Sequence, residues 1–221
     1  MPTLASNSPS PIDRRPSRYG AYAVLAGLLA AAALIHSPIV RAGLVVATPP
    51  VAATASVEVF FSPGADTDQA LASLIAGARD RVWLAGYYFT SAIVAKALDQ
   101  AHARGVDVRV VLDRSQATQK YASATYFHNH GVPLWINARY PVMHHKFLIV
   151  DAETVAFGSM NFTRAGTQTN AENFNVFRRW PALVAPYAAE FKRLASESER
   201  YEPGMKFDEE RFPRSRSERQ D

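Results

Sequence analysis

From Val57 to Asn137 the sequence alternates short apolar runs with stretches of helical spacing, and few architectures accept that alternation. "VEVFF" (Val57 to Phe61), "VWLAGYYF" (Val82 to Phe89), "VDVRVVLD" (Val106 to Asp113) and "VPLWIN" (Val132 to Asn137) have the β-branched and aromatic content of strands. Between them, Asp66 to Arg79 spaces Leu71, Leu74 and Ile75 along one helix face. Ser91 to Ala103 opens on an N-cap serine and closes before Gly105, and Gln116 to Asn129 predicts a third helix. Strands separated by helices return through crossovers, which aligns them in parallel and lays the helices over the sheet. The expected fold is one α/β domain over residues 57–201: a mixed, largely parallel β-sheet flanked by helices on both faces. "PALVAPYAAEFKRLASES" (Pro181 to Ser198), apolar at Leu183, Val184, Tyr187, Phe191 and Leu194, closes it with a last helix.

One segment breaks the rhythm. "FLIV" (Phe147 to Val150) and "TVAFG" (Thr154 to Gly158) are too close for a crossover helix and predict an antiparallel hairpin. With its turn centred between Ala152 and Glu153, Lys146 lies opposite Ser159 and His144 opposite Asn161. Side chains alternate between faces, so an even-numbered loop brings these four groups together and a three-residue loop does not.

Such a cluster has a definite chemistry. A lysine ammonium, a serine hydroxyl and an asparagine amide offer donors to the oxygens of a phosphodiester, while an imidazole attacks phosphorus or moves protons. A histidine nucleophile presents a neutral nitrogen, which requires an orienting acceptor at the other one. Glu172 in "NAEN" is the nearest following carboxylate. His145 alternates to the opposite face and reads as a packing or solvated residue. Arg139, Arg164, Arg178 and Arg179 lie near these residues in sequence, and serve either to track a nucleic-acid backbone or as a solvated face. With His144 and His145 adjacent, no cysteine and no acidic cluster at ligand spacing, no metal site is expected.

These residues carry a resemblance. "HHKFLIVD" holds an H-x-K-x4-D pattern as His144, Lys146 and Asp151, followed by Gly158-Ser159-Met160-Asn161 and the downstream Glu172, and together they resemble the phospholipase D superfamily. From about Val57 to Tyr201, "VFFSPG", "GYYFTSAIVAKAL", "RGVDVRVVLD" and "GSMNFTRAGTQTNAEN" are similar to its small, exported, single-motif endonucleases. The resemblance implies the phospholipase D/nuclease fold and a metal-independent, cofactor-free phosphodiesterase with a phosphohistidine intermediate. It implies His144 as nucleophile or acid/base, Lys146 and Asn161 on the phosphate, Ser159 in the anion pocket and Glu172 orienting His144. As part of the motif Asp151 is also implied to be catalytic, although its place at a strand end beside the turn suits a structural role. With one motif copy, a complete site implies a homodimer that brings two copies of His144 together. Nucleic acid is the expected substrate; the alternative is a phospholipase D or phosphatidyl transferase acting on membrane phospholipids. A binding module that keeps the fold without catalysis is disfavoured by the intact motif.

The ends of the chain bear on location. Residues 1–42 hold four arginines against one aspartate, a net of +3 out of the total +4, so the rest of the chain is nearly neutral and bulk charge names no partner. Arg14, Arg15 and Arg18 precede the apolar run Tyr19 to Ile35, which reads as a signal peptide or, if retained, a membrane anchor. Export to the periplasm or beyond is expected, with inner-membrane anchoring as the alternative; the absence of cysteine fits an oxidising compartment. Residues 43–56 form a Pro/Ala-rich linker, and the charged residues 202–221 are expected to be a disordered tail.

Overall fold

The computed structural model describes residues 51, 53–118 and 123–207. The predicted leader lies outside them, as does most of the tail. Among the described residues no helix is long and apolar enough to cross a membrane.

The elements run β1 (Ser56–Ser62), α1 (Thr67–Ala76), β2 (Arg81–Gly86), α2 (Ala92–Ala103) and β3 (Asp107–Asp113). A 3-10 turn (Arg114–Ala117), α3 (Ala124–Asn129), β4 (Leu134–Asn137), β5 (Lys146–Val150) and β6 (Thr154–Gly158) follow, then α4 (Arg164–Gln168), β7 (Glu172–Arg178), α5 (Pro181–Ser196) and β8 (Glu199–Arg200). Local signals set many of these limits. The Ser91 hydroxyl accepts the Val94 N–H at 3.3 Å to cap α2, and Gly105, at φ +88°, takes the left-handed turn beyond its end. Pro181 opens α5, where its missing N–H is no loss.

The strands form one eight-stranded sheet in the order β1-β7-β6-β5-β2-β3-β4-β8. It is mixed and helix-flanked, as the alternation predicts, and β1, β2, β3, β4 and β6 all run the same way. Parallel neighbours are confined to β2-β3 and β3-β4, however, because β5, β6 and β7 insert as an antiparallel wedge between β1 and β2. The wedge arises because the hairpin has no room for a crossover and must fold back on itself.

Alternation on the strands feeds two cores. On one face Leu84, Val110, Leu112, Leu148, Ala156 and Phe174 pack against α1, α2 and α3. On the other, Trp83, Val111, Phe147, Ile149 and Val155 meet Val184, Phe191 and Leu194 of α5, with Trp83 stacked on Phe191 at 5.1 Å between centroids. Each fully buried side chain of this size contributes about 1.5–3 kcal/mol of hydrophobic stabilisation. Residues 202–207 are more ordered than a free tail: Met205 and Phe207 lie against the first core. The charged residues from 208 onward lie outside the described residues.

The hairpin departs from the expected register. Phe147 faces Phe157 and Val150 faces Thr154, so the loop is the three-residue Asp151-Ala152-Glu153 and Lys146 pairs toward Gly158 instead of Ser159. Asp151 fixes this length. It adopts φ +54°, and its carboxylate accepts the backbone N–H groups of Arg79, Asp80 and Arg81 at 2.8 to 3.3 Å.

Candidate active site

The amino ends of β5 and β7 meet the carboxyl ends of β2, β3 and β6 along one rim of the sheet. The rim of a sheet is where side chains of successive strands converge on open space, and at the carboxyl ends of parallel strands it is the usual place for a ligand. Lys146, the first residue of β5, is 7% exposed and points to the same face as Leu148 and Val150. Glu172, the first residue of β7, shares that face through its alternation with Phe174 and Val176.

Ser159 arrives by a different route from the one its sequence spacing suggests. The N–H groups of Ser159 and Met160 both point to the Asn173 carbonyl, at 3.0 and 3.4 Å, so two residues of one strand oppose one of the next. This bulge resets the alternation and turns the Ser159 hydroxyl onto Glu172 in a short hydrogen bond, while the same oxygen accepts the Asn173 N–H at 3.1 Å. Gly158 makes the crossing possible: a Cβ there would stand 2.1 Å from the Asn173 carbonyl oxygen.

His144 precedes β5 with its ring exposed at the rim. The Lys146 Nζ lies 3.1 Å from its Nδ1 and 3.2 Å from its Nε2, and donates to the His144 carbonyl at 2.9 Å. Near-equal distances to both ring nitrogens mean that neither lone pair is aimed along a linear bond. Tyr87 backs the pair, its ring centroid 4.7 Å from that of His144 and 5.4 Å from Nζ. Partial desolvation, chiefly, and then the Lys146 charge hold the His144 imidazole below the usual histidine range; Asp113 opposes this and His145 adds to it. Burial lowers the Lys146 ammonium to about 8, against the pull of Glu172. The result near neutral pH is an uncharged imidazole touching a poorly solvated ammonium, chemically suited to nucleophilic attack beside a group that can hold an anion.

The structure thus joins His144 to Lys146 and Ser159 to Glu172, with Lys146 and Glu172 in electrostatic reach of each other. No hydrogen bond links Glu172 to His144 among the described residues; Ser159 and, at 3.4 Å, the Asn170 amide hold the carboxylate. Asn161 follows the bulge, and its Oδ1 is the buried side-chain acceptor without a partner among the described residues. Asp151 is not brought to the group. It sits at the far end of β5, about 16 Å along the strand, and serves the backbone of residues 79–81. His145 turns away to bond Glu190 at 3.1 Å. Arg178 is paired with Glu58, and Arg164 reaches Gln168 at 3.0 Å.

Two further residues stand at this rim without a signal in the sequence. By spacing, Tyr87 reads as a core aromatic of the expected strand Val82 to Phe89, past the end of β2 as it forms, and Asp113 as the end of β3. Together with Tyr88, Arg114, Pro141 and Val142 they line a pocket beside His144. The pairing of β2 with both β3 and β5 brings them there, which only the folded sheet reveals.

Residues 71–195, more than half of the chain, match a family model described as cardiolipin synthase, PLD-like domain. The chain belongs to the phospholipase D superfamily. Phospholipase D of Rickettsia conorii is 34% identical over 117 residues, 53% of this chain and 58% of that protein. Mitochondrial cardiolipin hydrolase of Xenopus tropicalis is 33% identical over 130 residues, 59% and 60% of the respective chains. The chain therefore spans somewhat more than half the length of these relatives. Among solved structures, the phospholipase D family member Nuc from Salmonella typhimurium superposes with a TM-score of 0.64 at 34% identity, covering 66% of this chain and 98% of that one. NucT from Helicobacter pylori shares the fold, with a TM-score of 0.61 at 20% identity over 66% of this chain and 99% of its own.

Proposed function

We propose that this superfamily member is a metal-independent phosphodiesterase, acting as a non-specific endonuclease on DNA, and on RNA as well, through a phosphohistidine intermediate. The observation that carries this reading is the contact between a neutral His144 and the buried Lys146 ammonium. In the proposed reaction a His144 ring nitrogen attacks phosphorus and the bond from phosphorus to the leaving oxygen breaks. Lys146, Asn161 and Ser159 hold the non-bridging oxygens, and Glu172 shifts from Ser159 toward the cationic phosphoimidazole. A water then attacks the phosphorus, the P–N bond breaks, and His144 leaves as a neutral imidazole.

The leaving oxygen needs a proton and the water must lose one. His145 is engaged by Glu190, so a second copy of His144, the one of the two imidazoles that carries a proton when its partner attacks, is the natural acid and then base, and the working enzyme is a homodimer with the two copies facing across a two-fold axis. Support for nucleic acid comes from the likeness to Nuc, which extends over nearly all of that chain at 34% identity. The arginine-bearing apolar leader supports an exported enzyme, in the periplasm or secreted, or held at the inner membrane.

A second reading is hydrolysis of a membrane phospholipid. It is favoured by the names of the curated relatives, a phospholipase D and a cardiolipin hydrolase, and by Val57, Val59 and Phe61, which stand exposed along edge strand β1. Plasmid DNA and vesicles of phosphatidylcholine or cardiolipin, offered side by side in excess EDTA, separate the two. DNA cleavage that survives the chelator and disappears in His144→Ala supports the nuclease; lipid hydrolysis alone transfers the site to the second reading, and silence on both sinks the two together.

A further inference from the structure

Asp113, the last residue of β3, is 2% exposed, and the roles given above to His144, Lys146, Ser159, Asn161 and Glu172 leave it without one. Its two oxygens take separate tasks. Oδ1 accepts the Ser115 N–H at 2.9 Å and starts the 3-10 turn, while Oδ2 accepts the Met143 N–H at 2.8 Å. The second bond ties the residue immediately before His144 to the end of a central strand. It is the more telling because residues 138–145 belong to no helix or strand, so backbone pairing alone does not fix where His144 stands. Met143 is anchored twice, by this N–H and by a side chain that is 1% exposed in the second core.

Asp113 also faces His144 electrostatically. The groups acting on that imidazole are Lys146 and His145, which disfavour its cation, and Asp113, which favours it. Tyr87 fills the space beside the ring. Attack on phosphorus turns the neutral imidazole into a cationic phosphoimidazole, so a fixed negative charge at this place favours the product of the step over its starting state.

We propose that Asp113 is a positioning residue for His144, setting the ring through the Met143 backbone and offsetting the charge that develops on it. The proposal rests on the phosphodiesterase reading for its kinetic consequences, but its effect on the imidazole is independent of any reaction. The test uses the full-length protein, with a chromogenic phosphodiester as substrate and the His144 ring titration followed by NMR, assigned against His144→Ala. In Asp113→Asn one of the two N–H groups loses its acceptor and the charge is removed. The expected result is a kcat lower by about tenfold or more, as small misplacements of reacting groups produce, with KM changed much less. The His144 titration and the acid limb of the rate profile both move to lower pH, because a neighbour favouring the imidazolium is gone.

Asp113→Glu separates the two effects and serves where the asparagine variant does not fold: the charge stays but the carboxylate is displaced. There kcat falls while the titration stays near that of the wild type. Wild-type values of both kcat and titration in Asp113→Asn, or an unchanged kcat in Asp113→Glu, overturn the proposal. A wild-type protein that cleaves no phosphodiester instead sinks the functional reading, and the titration still decides the role of Asp113.

Discussion

Replacing Lys146 with methionine should destroy activity and yet stabilise the fold at neutral pH. The side chain is 7% exposed, and burial lowers its pKa from 10.5 to about 8. A shift of that size corresponds to about 3 kcal/mol of preference for the neutral amine over the ammonium in the folded state. The sign follows from the direction. Below pH 8 the ammonium is present both folded and unfolded, and the folded state bears the full penalty. Between pH 8 and 10.5 the folded protein releases the proton first, and the penalty fades as pH rises. Methionine fills similar volume without a charge, but it abandons the 2.9 Å bond to the His144 carbonyl, which offsets about 1 kcal/mol. Lys146→Met should therefore be more stable than the wild type by about 2 kcal/mol at pH 7, read as a higher urea midpoint with unchanged slope. At pH 10 the advantage should have largely gone. A variant less stable than the wild type at pH 7, or a difference that is the same at both pH values, refutes the reasoning.

Other outcomes follow from the same geometry. The pH dependence of kcat/KM should fall above about pH 8 as Lys146 loses its proton, and Lys146→Arg, whatever its rate, should lack a limb there; a limb that persists belongs to another group. Gly158→Ala forces a Cβ to within 2.1 Å of the Asn173 oxygen and should cost about 3 kcal/mol in urea unfolding, since backbone cannot give way as a side chain does. Asp151→Ala removes the acceptor of three backbone N–H groups and places alanine at φ +54°; it should cost about 2 kcal/mol of stability while kcat of the folded enzyme stays within about twofold.

What the sequence disclosed and what it concealed divide along locality. The strands and helices from β1 to α2, the strands β3 to β6, α5 and the grouping of His144 with Lys146 are local patterns and lie close to where the spacing puts them. The helix expected over Gln116 to Asn129 is instead the 3-10 turn Arg114–Ala117 and the short α3, and α4, β7 and β8 are not anticipated. The hairpin register was not legible, because it depends on an aspartate whose loop conformation is held by N–H groups some seventy residues upstream. Ser159, expected opposite Lys146, is turned onto Glu172 by the bulge on Asn173, and no periodicity announces a bulge. The wedge of β5, β6 and β7 between β1 and β2 is equally non-local, so the antiparallel share of the sheet exceeds what the opening alternation suggests. Tyr87 and Asp113 look like ordinary strand residues until β2 and β3 carry their ends to His144. A bulky aromatic packs into the core at most strand ends and an acid there commonly caps the following turn, so spacing alone does not single either of them out.

A covalent bond to His144 is the claim on which the mechanism stands or falls. Excess enzyme is mixed with an oligonucleotide labelled at its phosphates, in EDTA, and quenched in denaturing alkali within a single turnover. Label retained on the wild-type chain, located to the peptide carrying His144 and absent from His144→Ala, is the predicted result. Product formed in that turnover with no label on the protein, or label that persists in His144→Ala, contradicts it.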